Sequence, residues 1–489
     1  MKVLHEKALP AAIQADSQGV EQHKMLIREL CNLCIDTKCE AGDANFSTLA
    51  SFPKLQRLIR GGRGSPKIVI PLQQHIGYNA RLDCDDEDSV VGVASWGPMV
   101  KIMSSKAKPK RIVMCGTDGR QYPFLAKQES NGDMRKDARM MDLFTMINHN
   151  LDSHSKESRN ANDGEEPRSS LLKGVKLRTY AVICLSSAAA LIEWMTGFQT
   201  MRECISTAAA RVIEEESPFV KLLNTRVRDD ILAPNGATAF ARLLRENPPV
   251  LQHWYFALAR DADHWLNIRN RFIATQALWC MVGYIIGLGD RHCENIMLSD
   301  VDGELTHVDF DCIFDAGHKL KVPEVVPFRL TSNCVSAMGA NGVEGPFRWV
   351  CVEAMSVLRA HKKTLLSVMF SFVADPVTQW ATAARTKQFS LRGGKTEANL
   401  VVARASDNAD RTVKEVEQKL SGVVFLARAV TSDGSHDGGA QDPLLLPNDF
   451  QGDFRGASLS VEGQVDELIR VATSTKYLIR MYIGWMPLL

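Results

Sequence analysis

Four polar residues with fixed spacing stand out in the second half of the chain. Asp290 and His292 lie within Gly287-Leu288-Gly289-Asp290-Arg291-His292-Cys293-Glu294-Asn295, so Asn295 follows Asp290 by five positions. Asp309 comes fourteen beyond Asn295, in His307-Val308-Asp309-Phe310-Asp311. These residue types suit phosphoryl transfer to a hydroxyl. The hydroxyl must be oriented and relieved of its proton, a task for Asp290 or His292. Phosphate charge must be neutralised through magnesium held by hard oxygen ligands, which Asn295 and Asp309 carry. One such carboxylate alone would read as a helix cap or a strand end; the four together do not.

The spacing is close to that of protein kinases, but the order differs. Asp-Arg-His after Gly-Leu-Gly, with His-Val-Asp-Phe downstream, resembles the phosphatidylinositol 3-kinase superfamily, which holds lipid kinases and giant protein kinases. That resemblance implies an α+β fold: a two-lobed PI3/PI4-kinase-like protein kinase domain with mainly helical flanking segments. It also implies ATP and magnesium, with manganese as an alternative, and it gives roles to residues upstream. Ser104 and Ser105 would hold phosphates in a loop that replaces the glycine-rich one. Lys127 would contact the α-phosphate region, with Asp137 nearby. Tyr180 would line the inner pocket, Ile192, Glu193, Trp194 and Met195 the adenine slot, and Met297 its floor.

The elements that must position these residues are visible in the patterning. Val100 to Ile112 reads as strand, polar basic loop, strand; on composition alone Lys106 to Arg111 is equally a nuclear-localisation patch or a solvated turn. Gly116 to Gly119 is a hairpin turn leading to the strand Tyr122–Ala126, which Lys127 closes. Asp137 opens a helix over Ala138–Asn148, where its carboxylate also suits the helix dipole. Asp152 to Ser170 is polar and nearly free of apolar residues, which predicts a disordered surface insertion. Tyr180–Leu185 reads as a buried strand, and Leu191–Met195 follows with the apolar residues an adenine slot requires. Trp265–Ile286 is a long apolar-faced helix leading into the Asp290 loop. Asp311 stands where related motifs have glycine, which narrows the backbone freedom there.

The last thirty residues sharpen the resemblance. Val465, Leu468, Ile469 and Ala472 share one helix face, and Tyr477 to Trp485 crowd apolar residues at the chain end. Ser460–Val465 and Met481–Pro487 resemble the FATC segment that closes the PI3-kinase-related protein kinases. With Val325-Val326-Pro327-Phe328-Arg329-Leu330-Thr331 and Tyr180-Ala181-Val182-Ile183, they look most like the ATR-type checkpoint kinases.

The implied organisation has four parts. Residues 1–75 are the end of a helical FAT-like region, and 95–385 a catalytic domain with its small lobe to about 190, hinge at 191–196 and large lobe at 197–385. Residues 386–456 are a regulatory linker, partly disordered, with one helical stretch from Val413 to Leu426, and 457–489 the FATC. The implied activity is that of a non-specific serine/threonine protein kinase that favours a following Gln and acts in DNA-damage and replication checkpoint signalling in the nucleus. Its substrates are proteins, and a DNA-damage adaptor would bind helical repeats outside this sequence, making the chain the catalytic end of a longer protein. A phosphoinositide kinase and a catalytically dead scaffold are the alternatives. Whether Asp290 or His292 is the base stays open.

Bulk properties agree. The 489 residues are 45% hydrophobic with a net charge of +1, which signals neither a nucleic-acid surface nor a polybasic membrane patch. Leu278–Leu288, the best apolar run, is about half of the ~20 residues a span requires. The lone Cys31-x-x-Cys34 pair lies in a helical setting and reads as two buried thiols, and Cys293 as a small filler.

Overall fold

The computed structural model describes residues 17–35, 46–48, 68–71, 91–103, 108–129, 133–161, 172, 174–212, 236–320, 322–373, 410–424 and 458–485. Two compact units emerge, Met1–Asp142 with Thr179–Thr196, and Leu143–Arg178 with Gly197–Leu489.

Among the described residues, the first unit is built on a seven-stranded sheet. Its strands are β1 (Phe46–Thr48), β2 (Val93–Trp96), β3 (Met99–Ile102), β4 (Lys110–Gly116), β5 (Gln121–Gln128), β6 (Val182–Cys184) and β7 (Ala189–Glu193). The path runs β1-β3-β4-β5-β7-β6, with β2 also on β4, and every pairing is antiparallel. Strict alternation of buried and half-buried residues along β4 marks a strand with one face on the core. That face meets α1 (Ser17–Ile35), whose Leu26, Leu30, Leu33 and Cys34 pack with Ile112, Phe124, Ala126 and Leu191.

The basic run before β4 is not solvated at its end. Lys110 begins the strand and is 1% exposed, and its ammonium donates to the Cys34 carbonyl at 3.3 Å. Gly116–Arg120 makes the expected turn into β5. Ile68–Ile70 adds a single bridge, Val69 to Gly92, rather than a full strand. Phe52-Pro53-Lys54-Leu55, which by residue type reads as the start of a short helical segment, lies outside the described residues.

The helix expected over Ala138–Asn148 is longer at both ends. As α2 it spans Arg135–Ala161, so the first ten residues of the expected insertion are helical. No Gly or Pro interrupts that range, and the next breakers are Gly164 and Pro167.

The second unit is mainly helical, with a three-stranded antiparallel sheet of β8 (Phe198–Thr200), β9 (Ile296–Ser299) and β10 (Leu305–His307). Thr200 starts α3 (Met201–Val212) with a capping box: Glu203 N–H donates to Thr200 Oγ1 at 3.2 Å, and Thr200 N–H donates to the Glu203 carboxylate at 2.9 Å. At the centre runs α6 (Ala262–Ile286), preceded by α4 (Gly236–Glu246) and α5 (Leu251–Leu258). The spacing predicts one apolar face for α6, yet every residue from Phe272 to Ile286 is buried. A helix buried all round is the axis of its unit. Two of its polar members tie it to neighbouring segments: Thr275 Oγ1 accepts Leu305 N–H at 3.0 Å, and the Gln276 amide donates to Arg329 O at 3.1 Å.

Beyond α7 (Ser332–Ala337), α8 (Pro346–Ala360) packs along α6, and α9 (Lys362–Val373) follows. Residues 410–420 form α10, ended by Gly422 at φ 94°, inside the stretch expected as linker. Val416, Lys419 and Leu420 of this helix are buried. The C-terminal α11 (Val461–Thr473) is capped by Ser460, which accepts Gly463 N–H at 3.1 Å, and lies on α8; α12 (Thr475–Leu478) follows.

Candidate active site

The Asp290 loop starts where α6 stops. Gly287 adopts φ 59°, and its N–H returns to the carbonyls of Gly283 and Tyr284. This glycine, rather than Asp290 or Arg291, caps the helix. A Cβ at Gly287 would stand 2.3 Å from the Asp315 nitrogen, and one at Gly289 would stand 2.6 Å from a Glu324 carboxylate oxygen and 2.8 Å from Cys312 Sγ. Both glycines of Gly-Leu-Gly are therefore required by close approach of the 312–324 segment. Three backbone bonds join the strands of chain there: Gly289 N–H to Cys312 O at 2.8 Å, Phe314 N–H to Ile286 O at 2.8 Å, and Asp315 N–H to Gly287 O at 3.0 Å.

Arg291 holds the polar residues together. It is 3% exposed, and its guanidinium donates to the carbonyls of Gly289 (2.8 Å), Val308 (2.8 Å), Asn295 (3.4 Å) and Asp309. Asn295 is 8% exposed; its Nδ2 donates to Asp290 O at 2.9 Å, and its carbonyl accepts Val308 N–H at 3.1 Å. That leaves Oδ1 as the side-chain oxygen Asn295 can offer a hard cation.

Asp290 and Asp309 both adopt left-handed backbone, φ 57° and 63°. Asp tolerates that region better than most residues, and such strain gathers at functional sites. Asp311 is not among the left-handed residues, so the missing glycine is of no consequence at that position. Phe310, fully buried, anchors the strand end: its ring lies 5.1 Å from Phe144 and stacks on Trp279 at 6.1 Å, and Trp279 in turn stacks on His307 at 4.7 Å.

His292 is half-buried, and its Nδ1 accepts the Glu294 N–H at 3.2 Å. The neutral ring therefore carries its proton on Nε2, which is 3.9 Å from Asp290 Oδ2. Burial pulls the His292 pKa below its ordinary value, helped by Arg291 and Arg329 and opposed by Asp290 and Glu294. Glu324, from the far end of the 312–324 segment, accepts the Asp290 N–H at 2.6 Å. Burial pushes its carboxyl up to about 6. Cys293 is a buried filler.

Arg329 closes the floor behind this loop. It is 1% exposed, donates to Arg291 O at 3.3 Å and to Trp485 O at 2.6 Å, and sits 4.6 Å from the Trp485 ring centre. Cys312, Glu324 and Arg291 received no role from the motif, although Arg291 lies inside it. Arg329 stood only as part of a family signature. A buried arginine cannot be told from a solvated one by residue type alone.

The residues expected around the nucleotide base and phosphates belong to the first unit, apart from Met297. Lys127 lies on β5 opposite Ala190, with its ammonium 3.5 Å from Glu129. Asp137 is buried in the first turn of α2. Tyr180 is buried, and its N–H meets Met141 Sδ at 3.5 Å. Ile192 and Glu193 end β7; the Glu193 carboxylate accepts Ala181 N–H at 2.9 Å. Trp194 donates its N–H to Pro123 O at 3.0 Å, and the Arg111 guanidinium lies 5.1 Å over its ring. Met195 follows, half-buried. Met297 lies on β9, paired with Thr200 and Thr306. Ser104 and Ser105 lie outside the described residues, as do Met486 and Pro487 of the expected FATC segment.

Asp290, His292, Asn295 and Asp309 thus lie on one loop and one following segment of the second unit, which the buried Arg291 ties together through the carbonyls of Gly289, Asn295, Val308 and Asp309. The profile of the phosphatidylinositol 3- and 4-kinase family matches residues 121–382, and the FATC profile matches 458–489. The chain belongs to the phosphatidylinositol 3- and 4-kinase family. It is 31% identical over 484 residues to the "Serine/threonine-protein kinase ATR" of Oryza sativa subsp. indica, covering 95% of this chain and 16% of that one. It is 30% identical over 494 residues to the "Protein kinase rad3" of Schizosaccharomyces pombe, covering 99% of this chain and 18% of that one. The chain thus spans less than a fifth of the length of these relatives. Among solved structures, the "FAT and kinase domain of CtTel1" shares the fold with a TM-score of 0.68 at 23% identity, covering 96% of this chain and 28% of that one.

Proposed function

We propose that the chain transfers the γ-phosphate of ATP to serine or threonine of protein substrates. The observation that carries this reading is the Arg291 hub, which fixes Asp290, Asn295 and Asp309 by their own backbone carbonyls or neighbours. The relatives named as protein kinases match nearly the whole chain.

The donor set suits magnesium. Among the described residues there is no cluster of three His, Cys, Asp or Glu, so a cage built wholly of protein ligands is not what this site offers. One amide oxygen and one carboxylate, Asn295 and Asp309, fit a cation that keeps water and phosphate in its shell. Held by Asn295 and Asp309, magnesium would supply charge neutralisation for the transferring phosphoryl group. The base and the donor separate within the Asp290–His292 pair. With its Nδ1 committed to Glu294 N–H, neutral His292 offers a hydrogen-bond donor from Nε2, which suits developing charge on a phosphoryl oxygen. Asp290 is the member with lone pairs to accept the substrate hydroxyl proton as the new P–O bond forms. Lys127, Asp137, Tyr180, Ile192, Glu193, Trp194, Met195 and Met297 would hold the nucleotide, with Ser104 and Ser105 on its phosphates.

We place this activity in nuclear checkpoint signalling, with preference for Ser-Gln or Thr-Gln sites and in concert with a DNA-damage adaptor. The support is the likeness to relatives named ATR and rad3. The test is magnesium-dependent phosphate transfer to a Ser-Gln peptide by the chain and by its Asp309→Ala variant. Transfer by the former alone is expected. Equal transfer by both, or transfer to a phosphoinositide in place of the peptide, overturns the reading.

A further inference from the structure

A deeply buried amine of the second unit belongs neither to the motif nor to the segment from Asp309 to Leu330, which the kinase reading makes the activation segment. Lys419, near the end of α10, is 1% exposed. Its ammonium donates to Asp315 Oδ1 at 2.8 Å, Asp315 Oδ2 at 2.7 Å and Tyr284 O at 3.0 Å, and lies 5.0 Å from the Tyr284 ring centre. The α10 end is itself held from three sides. Gln464 of α11 donates to Lys419 O at 2.8 Å, Tyr284 of α6 donates through its hydroxyl to Val423 O at 3.1 Å, and Lys362 of α9 reaches Ser421 Oγ at 2.8 Å.

What Lys419 grips is a strained point of the activation segment. Phe314 and Asp315 both adopt φ 55°, and Asp315 leads into a single 3₁₀ turn, Ala316–Lys319. Two such residues in succession persist only where the surroundings over-determine them. The turn carries Gly317, whose carbonyl accepts Glu324 N–H at 3.1 Å, and Glu324 in turn accepts the Asp290 N–H at 2.6 Å. A continuous run of contacts thus leads from Lys419 through Asp315, Gly317 and Glu324 to the backbone of Asp290. A buried ion pair is weak grounds for stability alone, because apolar residues of like volume often serve as well. Its directional demand is the difference: it fixes where the Asp315 carboxylate must stand.

We propose that Lys419 is a positioning residue for phosphoryl transfer: docking of 410–424 through the Lys419–Asp315 pair sets the register of the activation segment and, through Glu324, of Asp290. This rests on the kinase reading of the site, and a second readout separates the two.

The test compares the full chain with Lys419→Met and with the doubly apolar Lys419→Met/Asp315→Leu. Hydrogen exchange is followed at the amides of Gly289, Asp290, Asp315 and Glu324, and kcat and KM for ATP are measured in the peptide assay. In both variants those four amides are expected to exchange at least tenfold faster while the amides of β9 and β10 keep their protection. The kcat is expected to fall at least tenfold with KM for ATP within twofold. The double variant, which buries no unpaired charge, is expected to keep the thermal midpoint of the parent. A folded double variant with protected amides and parental kcat overturns the proposal, as does a rise in KM for ATP with kcat intact. Failure of the double variant to fold overturns it as well, since the pair then serves folding rather than the site. If the parent chain transfers no phosphate, the kinase reading fails and amide exchange alone decides the role of Lys419.

Discussion

At the residue scale the site is held by groups that do no chemistry themselves. Arg291 spends its guanidinium on four carbonyls, so the Asp290 loop and the Asp309 strand end share one scaffold. His292 shows how such surroundings select a role: burial keeps the ring neutral, and one backbone N–H selects its tautomer. His292→Gln is therefore expected to lower kcat by about 10²–10³-fold, the usual worth of one donor to developing charge, with little change in KM for ATP. Any acid limb of the kcat profile owed to His292 should lie below 6.5 and vanish in that variant. Glu324 gives a pH prediction of the opposite kind. Its pKa is raised by burial from 4.5 to about 6, so the folded state favours the protonated form. That stabilisation is complete below 4.5 and is lost as pH rises through about 6. By the ordinary conversion it is on the order of 2 kcal/mol. Thermal unfolding of the parent and Glu324→Gln should therefore favour the parent more at pH 5 than at pH 7, and a constant difference would refute the assignment.

At the element scale, the ends of helices matter more than their middles. Gly287 at φ 59° faces the Asp315 nitrogen with no room for a Cβ. Gly287→Ala is expected to cost more than about 2 kcal/mol, read as the shift in denaturant midpoint, because strain and displacement of the 312–324 segment add. The pair Arg348–Asp466 between α8 and α11 is the contrast. Its bonds of 2.6 and 2.9 Å are well formed but exposed, so Asp466→Asn should cost less than about 1 kcal/mol.

The same scale shows where sequence was legible. β4 and β5 follow from alternation and a Gly-rich turn, and α11 from its Ser460 cap and apolar face, because each carries a local, periodic signal. The four motif residues were legible because their spacing is fixed by one loop and one strand pair. The length of α2 was hidden because a polar helix and a polar loop have the same composition. Lys419 was hidden because a single lysine in a linker-like run gives no sign that it will be buried. Nor does residue type say that Arg329 will find its acceptor at Trp485.

At the scale of the whole molecule, the second unit is organised around α6 and closed by Trp485. Trp485 is 5% exposed and covers Arg329. Trp485→Ala is expected to destabilise the unit by about 3–5 kcal/mol, the usual cost of a large aromatic lost from a core, measured as the loss of unfolding free energy in urea. Activity should fall with it, since Arg329 also donates to Arg291 O at 3.3 Å.

The placement of Trp485 also bears on how the protein is made. The axis helix and the Asp290 loop leave the ribosome long before residue 485, whose carbonyl accepts from the buried Arg329 at 2.6 Å. At ~5–20 residues per second, the interval is on the order of ten to tens of seconds. Through that time a nascent chain holds an apolar helix and an arginine without its last acceptor, a state suited to chaperone capture. The floor behind the Asp290 loop is thus completed only after residue 485 has emerged, and a ribosome that stops short of it releases a chain whose second unit lacks that closing residue.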